Sequence, residues 1–144
     1  MSGFLGSYVH QVDEKGRLSL PASFRRGAAE GSPLVVVRVH ESALTLYPEG
    51  TWGEVEARLL EMLRRQPESR PYVLGVTANA VEVVPDRQGR ILVPQRLLGA
   101  IGVGDTAMLV GVIDRIEVWD PERFGTAVAE RRPEFEQFAS QVFA

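Results

Sequence analysis

Two nine-residue stretches hold the side chains best suited to recognition chemistry. They are Asp13-Glu14-Lys15-Gly16-Arg17-Leu18-Ser19-Leu20-Pro21 and Asp86-Arg87-Gln88-Gly89-Arg90-Ile91-Leu92-Val93-Pro94. Arginine offers a planar fork of N–H donors that suits phosphate oxygens and the acceptor edge of guanine. An aspartate nearby can orient that fork. For a single turn the plainer reading would stand: a hairpin with solvated charges, its Asp–Arg pair merely holding the bend. The recurrence changes the weighing. Asp, Gly, Arg and Pro all repeat at one offset of 73 residues (13 to 86, 16 to 89, 17 to 90, 21 to 94). Turn geometry needs the glycine and tolerates many residues after it, yet arginine follows glycine in both copies. Arg17 and Arg90 are therefore the candidate contact residues, with Asp13 and Asp86 beside them. Basic residues nearby are Lys15, Arg25 and Arg26 at the first motif and Arg87 and Arg96 at the second, of which Lys15, Arg25 and Arg87 are the candidate phosphate contacts.

Other chemistries find no support. The chain has no Gly-x-Ser-x-Gly elbow, no Walker loop and no His-Glu-x-x-His pair. Gly99-Ala100-Ile101-Gly102-Val103-Gly104 is glycine-rich but follows a short predicted helix, where a C-cap and turn explain it. His10 and Asp13 are two possible metal ligands, which is too few for a site. Cysteine is absent, so there is neither a disulfide framework nor a thiol nucleophile. We expect no enzyme activity, metal, cofactor or small-molecule substrate.

The elements that must position the two motifs follow from the duplication. Leu44-Thr45-Leu46-Tyr47 matches Ile116-Glu117-Val118-Trp119, and Trp52-Gly53 matches Phe124-Gly125, both at an offset of 72 (44 to 116, 52 to 124). One residue is thus lost in a loop between the motif and the second match. This period is too long for a solenoid. It fits two half-domains, 1–66 and 72–144, each too small to bury much core alone.

Each motif reads as a tight turn with Asp first and Gly fourth. A weakly alternating segment, 7–12, leads into the first turn. Residues 17–20 alternate as a short half-buried strand. Pro21 ends that strand and opens a helix over 22–26, and Gly27 and Gly31 flank a loop. Residues 34–39 are β-branched and predict a buried strand, with 43–47 pairing back on it. Thr51-Trp52-Gly53-Glu54 is a capping-box pattern. It predicts a helix to about Arg65 with Trp52, Val55, Leu59, Leu60 and Leu63 on one face. Pro67 and Pro71 stop it, and 66–71 is the junction. The second half repeats the order: strand 80–84, turn 86–89, strand 90–93, helix 95–101, strands 107–112 and 115–119. Asp120-Pro121 is an N-cap with an N1 proline. The last segment carries Phe124, Val128, Phe135, Phe138 and Val142, and Pro133 predicts a kinked or broken helix.

Composition sets the outer bounds. At 144 residues, 44% hydrophobic and 24% charged, the chain reads as an ordinary soluble domain or two joined halves. No apolar run is long enough to span a membrane, and Met1-Ser2-Gly3-Phe4 does not resemble a signal peptide. The net charge of −3 argues mildly against nucleic acid as a partner. Its distribution softens that objection: cations gather around both motifs, while acidic residues collect in the last third. Local field decides partner choice more than the sum.

These motifs make the chain resemble the MraZ family of bacterial division-and-cell-wall cluster regulators, within the AbrB/SpoVT superfamily. The resemblance spans almost the whole chain. It rests on Phe4-Leu5-Gly6, the two motifs, Leu46-Tyr47-Pro48 followed by Trp52, and Val110-Gly111-Val112-Ile113-Asp114-Arg115-Ile116-Glu117-Val118-Trp119. It implies a β-rich α+β fold in which two AbrB-type halves form a pseudo-twofold swapped-hairpin β-barrel with flanking helices. It also implies a cytoplasmic, nucleoid-associated regulator that assembles into homo-oligomeric rings and binds tandem double-stranded DNA repeats, repressing its own operon. Asp13/Arg17 and Asp86/Arg90 map onto the family's Asp-x-x-x-Arg motif on the proposed DNA-facing surface. The DNA-binding set is then Asp13, Lys15, Arg17, Arg25, Asp86, Arg87 and Arg90. Two features depart from the pattern: Ser2 and Gly3 precede Phe4, and the C-terminal segment is short. The alternatives are a structural oligomer and an antitoxin-like interaction protein. Antitoxins of the superfamily use a disordered tail, whereas this tail has apolar anchors and should fold.

Overall fold

A computed structural model describes residues 3–27, 31–129 and 132–143. The loop between Gly27 and Gly31, like Ser2, therefore lies outside the described residues. The chain runs β1 (Ser7–Gln11), β2 (Arg17–Ser19), α1 (Ala22–Gly27), β3 (Leu34–His40), β4 (Ala43–Pro48) and α2 (Glu49–Arg65). After a 3-10 turn, Pro67–Ser69, come α3 (Arg70–Asn79), β5 (Val81–Val83), β6 (Arg90–Leu92) and α4 (Gln95–Ala100). It ends with β7 (Thr106–Gly111), β8 (Ile116–Trp119), α5 (Pro121–Ala129) and α6 (Arg132–Phe143). The result is an α+β fold: one six-stranded antiparallel sheet ordered β1-β7-β8-β4-β3-β5, and a two-stranded ribbon, β2-β6.

The pairing register shows how the duplication is used. Leu18 lies opposite Ile91, its own equivalent at the offset of 73, and Thr45 lies opposite Glu117, its equivalent at the offset of 72. Equivalent residues of the two copies thus face each other in both the ribbon and the sheet. Each half also lends its first strand to the other. In the sheet, β1 pairs with β7, and β5 pairs with β3. Tyr8 opposite Leu109 repeats Val81 opposite Val36. Neither half has its complete set of strand partners without the other.

The core follows from these pairings. Leu18, Leu34, Val36, Leu44, Leu46, Ile91, Leu109 and Ile116 are fully buried in one cluster drawn from both halves. Val35, Val37 and Tyr47 form a second cluster on the opposite face of β3-β4, covered by Trp52 and Val55 of α2 and Val76 of α3. Helices on one face and core on the other explain why β3 is a continuous β-branched run rather than an alternating one. Phe24 of α1 packs edge-on against Phe4 and Tyr8, with centroids 5.8 and 5.2 Å apart. The repeated aromatic pair is real in both copies: Tyr47 meets Trp52 at 5.7 Å, and Trp119 meets Phe124 at 5.5 Å.

Four local expectations need correction. Thr51 does not cap α2. The helix starts at Glu49 after Pro48, without a side-chain cap, and the Thr51 hydroxyl donates to the Asp114 carbonyl at 3.3 Å. Leu60 is 58% exposed; Met62 takes its place beside Leu59 and Leu63 on the half-buried face. Pro67 stops α2, but Pro71 stands in the first turn of α3, where a missing N–H costs nothing. A helix, α3, therefore follows the 3-10 turn where a plain junction was expected. Finally, the tail carries two helices, α5 and α6, with Pro133 at the start of the second, but its anchors do not anchor: Val128, Phe135, Phe138 and Val142 are all more than half exposed. Among the described residues, neither hydrophobic cluster includes a residue of α6. The expected cap at Asp120 does form, with its carboxylate accepting from the Arg123 N–H at 3.1 Å.

Candidate functional site

The two motif turns are built alike. Asp13 and Gly16 close the first through a Gly16 N–H to Asp13 C=O bond of 3.0 Å; Asp86 and Gly89 close the second at 2.9 Å. Both glycines have left-handed backbone, φ +90° and +79°, a conformation that side chains with a Cβ seldom adopt. At the first turn the Asp13 Oδ1 accepts the backbone N–H of Lys15 at 3.0 Å and of Arg17 at 2.9 Å. Its Oδ2 accepts Arg17 Nε at 2.6 Å. Asp86 repeats the arrangement with Gln88 N–H and Arg90 N–H, both at 2.9 Å, and Arg90 Nε at 3.0 Å. The aspartate thus does two tasks. It satisfies the turn's donors, and it grips arginine by the inner nitrogen of the fork. Among the described residues neither guanidinium bonds further through its terminal nitrogens.

Charge follows geometry. The backbone N–H of Arg17, then its guanidinium and the Lys15 N–H, hold the Asp13 carboxyl below its ordinary value of 3.8. The corresponding donors of Arg90 and Gln88 do the same for Asp86. Both aspartates stay ionised at neutral pH and balance part of each arginine's charge, while the outer edge of the fork stays free to meet an acceptor.

The ribbon sets where the forks point. Side chains alternate along a strand. Leu18 and Ile91 face the core, both fully buried. Arg17, Ser19, Arg90 and Leu92 take the opposite face, with Arg17 across from Leu92 and Ser19 across from Arg90. The two arginines are diagonal neighbours, a spacing of roughly 7–8 Å between backbone positions. The halves are locked at this point by Leu20 N–H to Gly89 C=O and Val93 N–H to Gly16 C=O, each 2.9 Å.

The remaining candidates separate. Lys15 and Arg87 sit at the tips of their turns and are exposed. Arg25 crosses over: it lies against Gly89 and donates to the Gln88 carbonyl at 3.3 Å. It therefore serves the second turn, although it follows the first in sequence. At the first turn the corresponding place belongs to Gln95, whose amide donates to the Glu14 carbonyl. No local pattern marks Gln95, whose partner is 81 residues away. Ser19 and Leu92 are strand positions that the pairing sets directly across from Arg90 and Arg17. A further charged cluster, Arg115 with Asp114 at 2.7 Å and the Tyr47 hydroxyl at 3.1 Å, ties β8 to β4 and uses the whole guanidinium internally. Among the described residues no group of acidic or histidine side chains is placed to hold a metal ion. No described helix is long and apolar enough to cross a membrane.

Fold and site together define a class: a duplicated antiparallel α+β protein with paired Asp–Arg turns on one ribbon face. The family described as "MraZ protein, putative antitoxin-like" matches residues 4–73 and 76–143. Proteins named transcriptional regulator MraZ are similar over nearly the full chain. That of Herpetosiphon aurantiacus is 39% identical over 141 residues, 98% of this chain and 97% of the relative. That of Desulforamulus reducens is 34% identical over 139 residues, 96% of each. That of Thermomicrobium roseum is 39% identical over 121 residues, 84% of each. The chain belongs to the MraZ family.

Proposed function

We propose that the chain is a sequence-specific DNA-binding transcription regulator, not an enzyme, acting in the cytoplasm at the nucleoid on promoter repeats of its own division and cell-wall operon. The observation that carries this is the β2-β6 ribbon, with two arginines on its outer face, each gripped at Nε. A two-stranded ribbon fits the major groove, where a free guanidinium edge can pair with guanine O6 and N7. Lys15, Arg87 and Arg25 flank that face as phosphate contacts, which position a protein without specifying sequence. The relatives' shared name, transcriptional regulator MraZ, supports the same reading. We read the strand exchange between the halves 1–66 and 72–144 as the swapped-hairpin barrel of this superfamily, and the effect of binding as repression.

A net charge of −3 leaves one subunit weak on DNA. With about three phosphate contacts, its log–log salt slope should be near −3. Assembly into a homo-oligomeric ring would make later contacts intramolecular and raise avidity by about 10²–10⁴. The exposed Phe135, Phe138 and Val142, at helical spacing on α6, offer apolar area for such assembly. The test is electrophoretic shift on the chain's own upstream DNA, with one box, several boxes in helical phase, and several with half a turn inserted. In-phase boxes should bind far more tightly than either control. Equal binding to all three removes multivalent recognition, and no shift above scrambled DNA removes the regulator itself.

A further inference from the structure

The two motif copies differ on the ribbon's outer face at one pair of equivalent positions, Ser19 and Leu92 (19 to 92, the offset of 73). Leu92 is 55% exposed. It stands directly across from Arg17, while Ser19 stands across from Arg90. Side chains directly opposite on an antiparallel pair are about 4.5–5.5 Å apart at Cβ, so each arginine has one of these residues as its neighbour. Leu92 adds little to the fold. The core positions of the same ribbon are Leu18 and Ile91, and no described hydrophobic cluster includes Leu92. A single exposed leucine is ordinary on a protein surface. What sets this one apart is its position on a face otherwise made of two arginines and a serine, and its replacement by serine in the other copy.

Chemistry assigns the two neighbours different partners. In the major groove the thymine C5-methyl is the apolar group on a base edge, and apolar side chains contact it; a serine hydroxyl accepts or donates to several bases without such a preference. Resting on the DNA-binding reading above, we propose that Leu92 is a specificity-determining residue. It takes the methyl of a thymine adjacent to the guanine read by Arg17, and Ser19 beside Arg90 does not. A pseudo-twofold ribbon, which by backbone alone would suit a palindrome, then reads a box with a direction.

The experiment selects binding duplexes from a pool with a short randomised segment, using the full-length chain and its Arg17→Ala, Leu92→Ser and Ser19→Leu variants. The guanine that ceases to matter in Arg17→Ala marks that arginine's end of the box. On the selected duplex each thymine is then replaced by deoxyuridine, which removes the methyl and keeps the pairing. The unaltered chain should lose about fourfold in affinity at one thymine next to the marked guanine, the scale of burying one methyl group. Leu92→Ser should bind the thymine and deoxyuridine duplexes alike, and Ser19→Leu should gain a thymine preference at the opposite end. The exposed position makes a folding defect in Leu92→Ser unexpected, which a thermal melt checks. If Arg17→Ala relaxes specificity but no thymine responds to loss of its methyl, or the response survives Leu92→Ser, the Leu92 assignment is overturned and the DNA-binding reading stands. If Arg17→Ala changes neither affinity nor specificity, the DNA-binding reading itself fails.

Discussion

The turns at Asp13–Gly16 and Asp86–Gly89 have matching hydrogen bonds and unlike surroundings. Within each turn five bonds, two backbone and three to the aspartate side chain, correspond one to one. Yet the first turn is backed by the Val93 carbonyl and Gln95, and the second by the side chain of Arg25. Their tips differ as well: Lys15 is the cation of one and Arg87 of the other, one place earlier in the turn (15 to 88, 14 to 87). The lesson is that duplication kept what the backbone demands and left the rest free. A β-turn with φ > 0 at its fourth residue admits little but glycine, and its donors need the aspartate. What surrounds the turn has no such constraint, so a symmetric frame presents an asymmetric face.

The largest effects should come from the glycines, and they should be unequal. A Cβ at Gly16 would press on the backbone carbonyl of Val93, which the ribbon holds fixed; one at Gly89 would first meet the flexible end of Arg25. Left-handed strain costs both variants about 1–3 kcal/mol. Gly16→Ala should therefore lose more stability than Gly89→Ala in chemical denaturation, by about 1 kcal/mol or more. Equal losses would mean that the ribbon yields as readily as a side chain.

Next in size are the arginines. Arg17→Ala and Arg90→Ala should each cost about 1–3 kcal/mol on the specific site and much less on scrambled DNA. Similar losses on both DNAs would make either one a phosphate contact. Binding isotherms with each DNA decide it, and a difference between the two variants would extend the asymmetry of the turns to recognition.

Smaller again are the flanking cations. Lys15→Ala, Arg87→Ala and Arg25→Ala should weaken binding to all sequences alike and reduce the salt slope by about 1 each. Arg25 has a second role that the others lack, since it covers the second turn. Its loss alone should quicken amide exchange around Gly89, and unchanged exchange there would show that the contact is idle.

The smallest effect is on acid stability. Both aspartates have folded-state values below the ordinary 3.8, so the unfolded chain binds protons more readily. Their contribution is fully present above that ordinary value and is lost as pH falls below it. Exposed pairs are screened, so the slope is shallow. Asp13→Asn or Asp86→Asn should flatten the fall of Tm below about pH 4, each by a similar amount. A clear inequality would mean that the matched bonds are not matched in strength.

Much of this was written locally. Asp at the first and Gly at the fourth place of each turn, the alternation after Arg17 and Arg90, and the β-branched run at 34–39 are short-range constraints, and the elements they imply all formed. The duplicated offset already tied Leu18 to Ile91 as equivalents. Where the structure departs from the local pattern, the deciding contact is distant in sequence. Pro71 is locally as good a stop as a start, and α3 is held where Val76 packs against the cluster behind β3-β4 and Val73 is buried. Leu60 fits the helical period but lies beyond the area that β3-β4 offers. No pattern within the tail says whether a surface awaits α6.

The site divides the same way. Sequence alone determined which residues could grip and which could reach, because an Asx turn and its arginine lie within five consecutive positions. That the two arginines share one face, that Arg25 serves the opposite half's turn, and that Leu92 stands beside Arg17 were decided by the pairing of β2 with β6. Such a pairing joins residues 71–75 apart in the chain (19 to 90, 18 to 91, 17 to 92). Register across that distance is set by burying Leu18 against Ile91, a choice made by the whole core rather than by either motif.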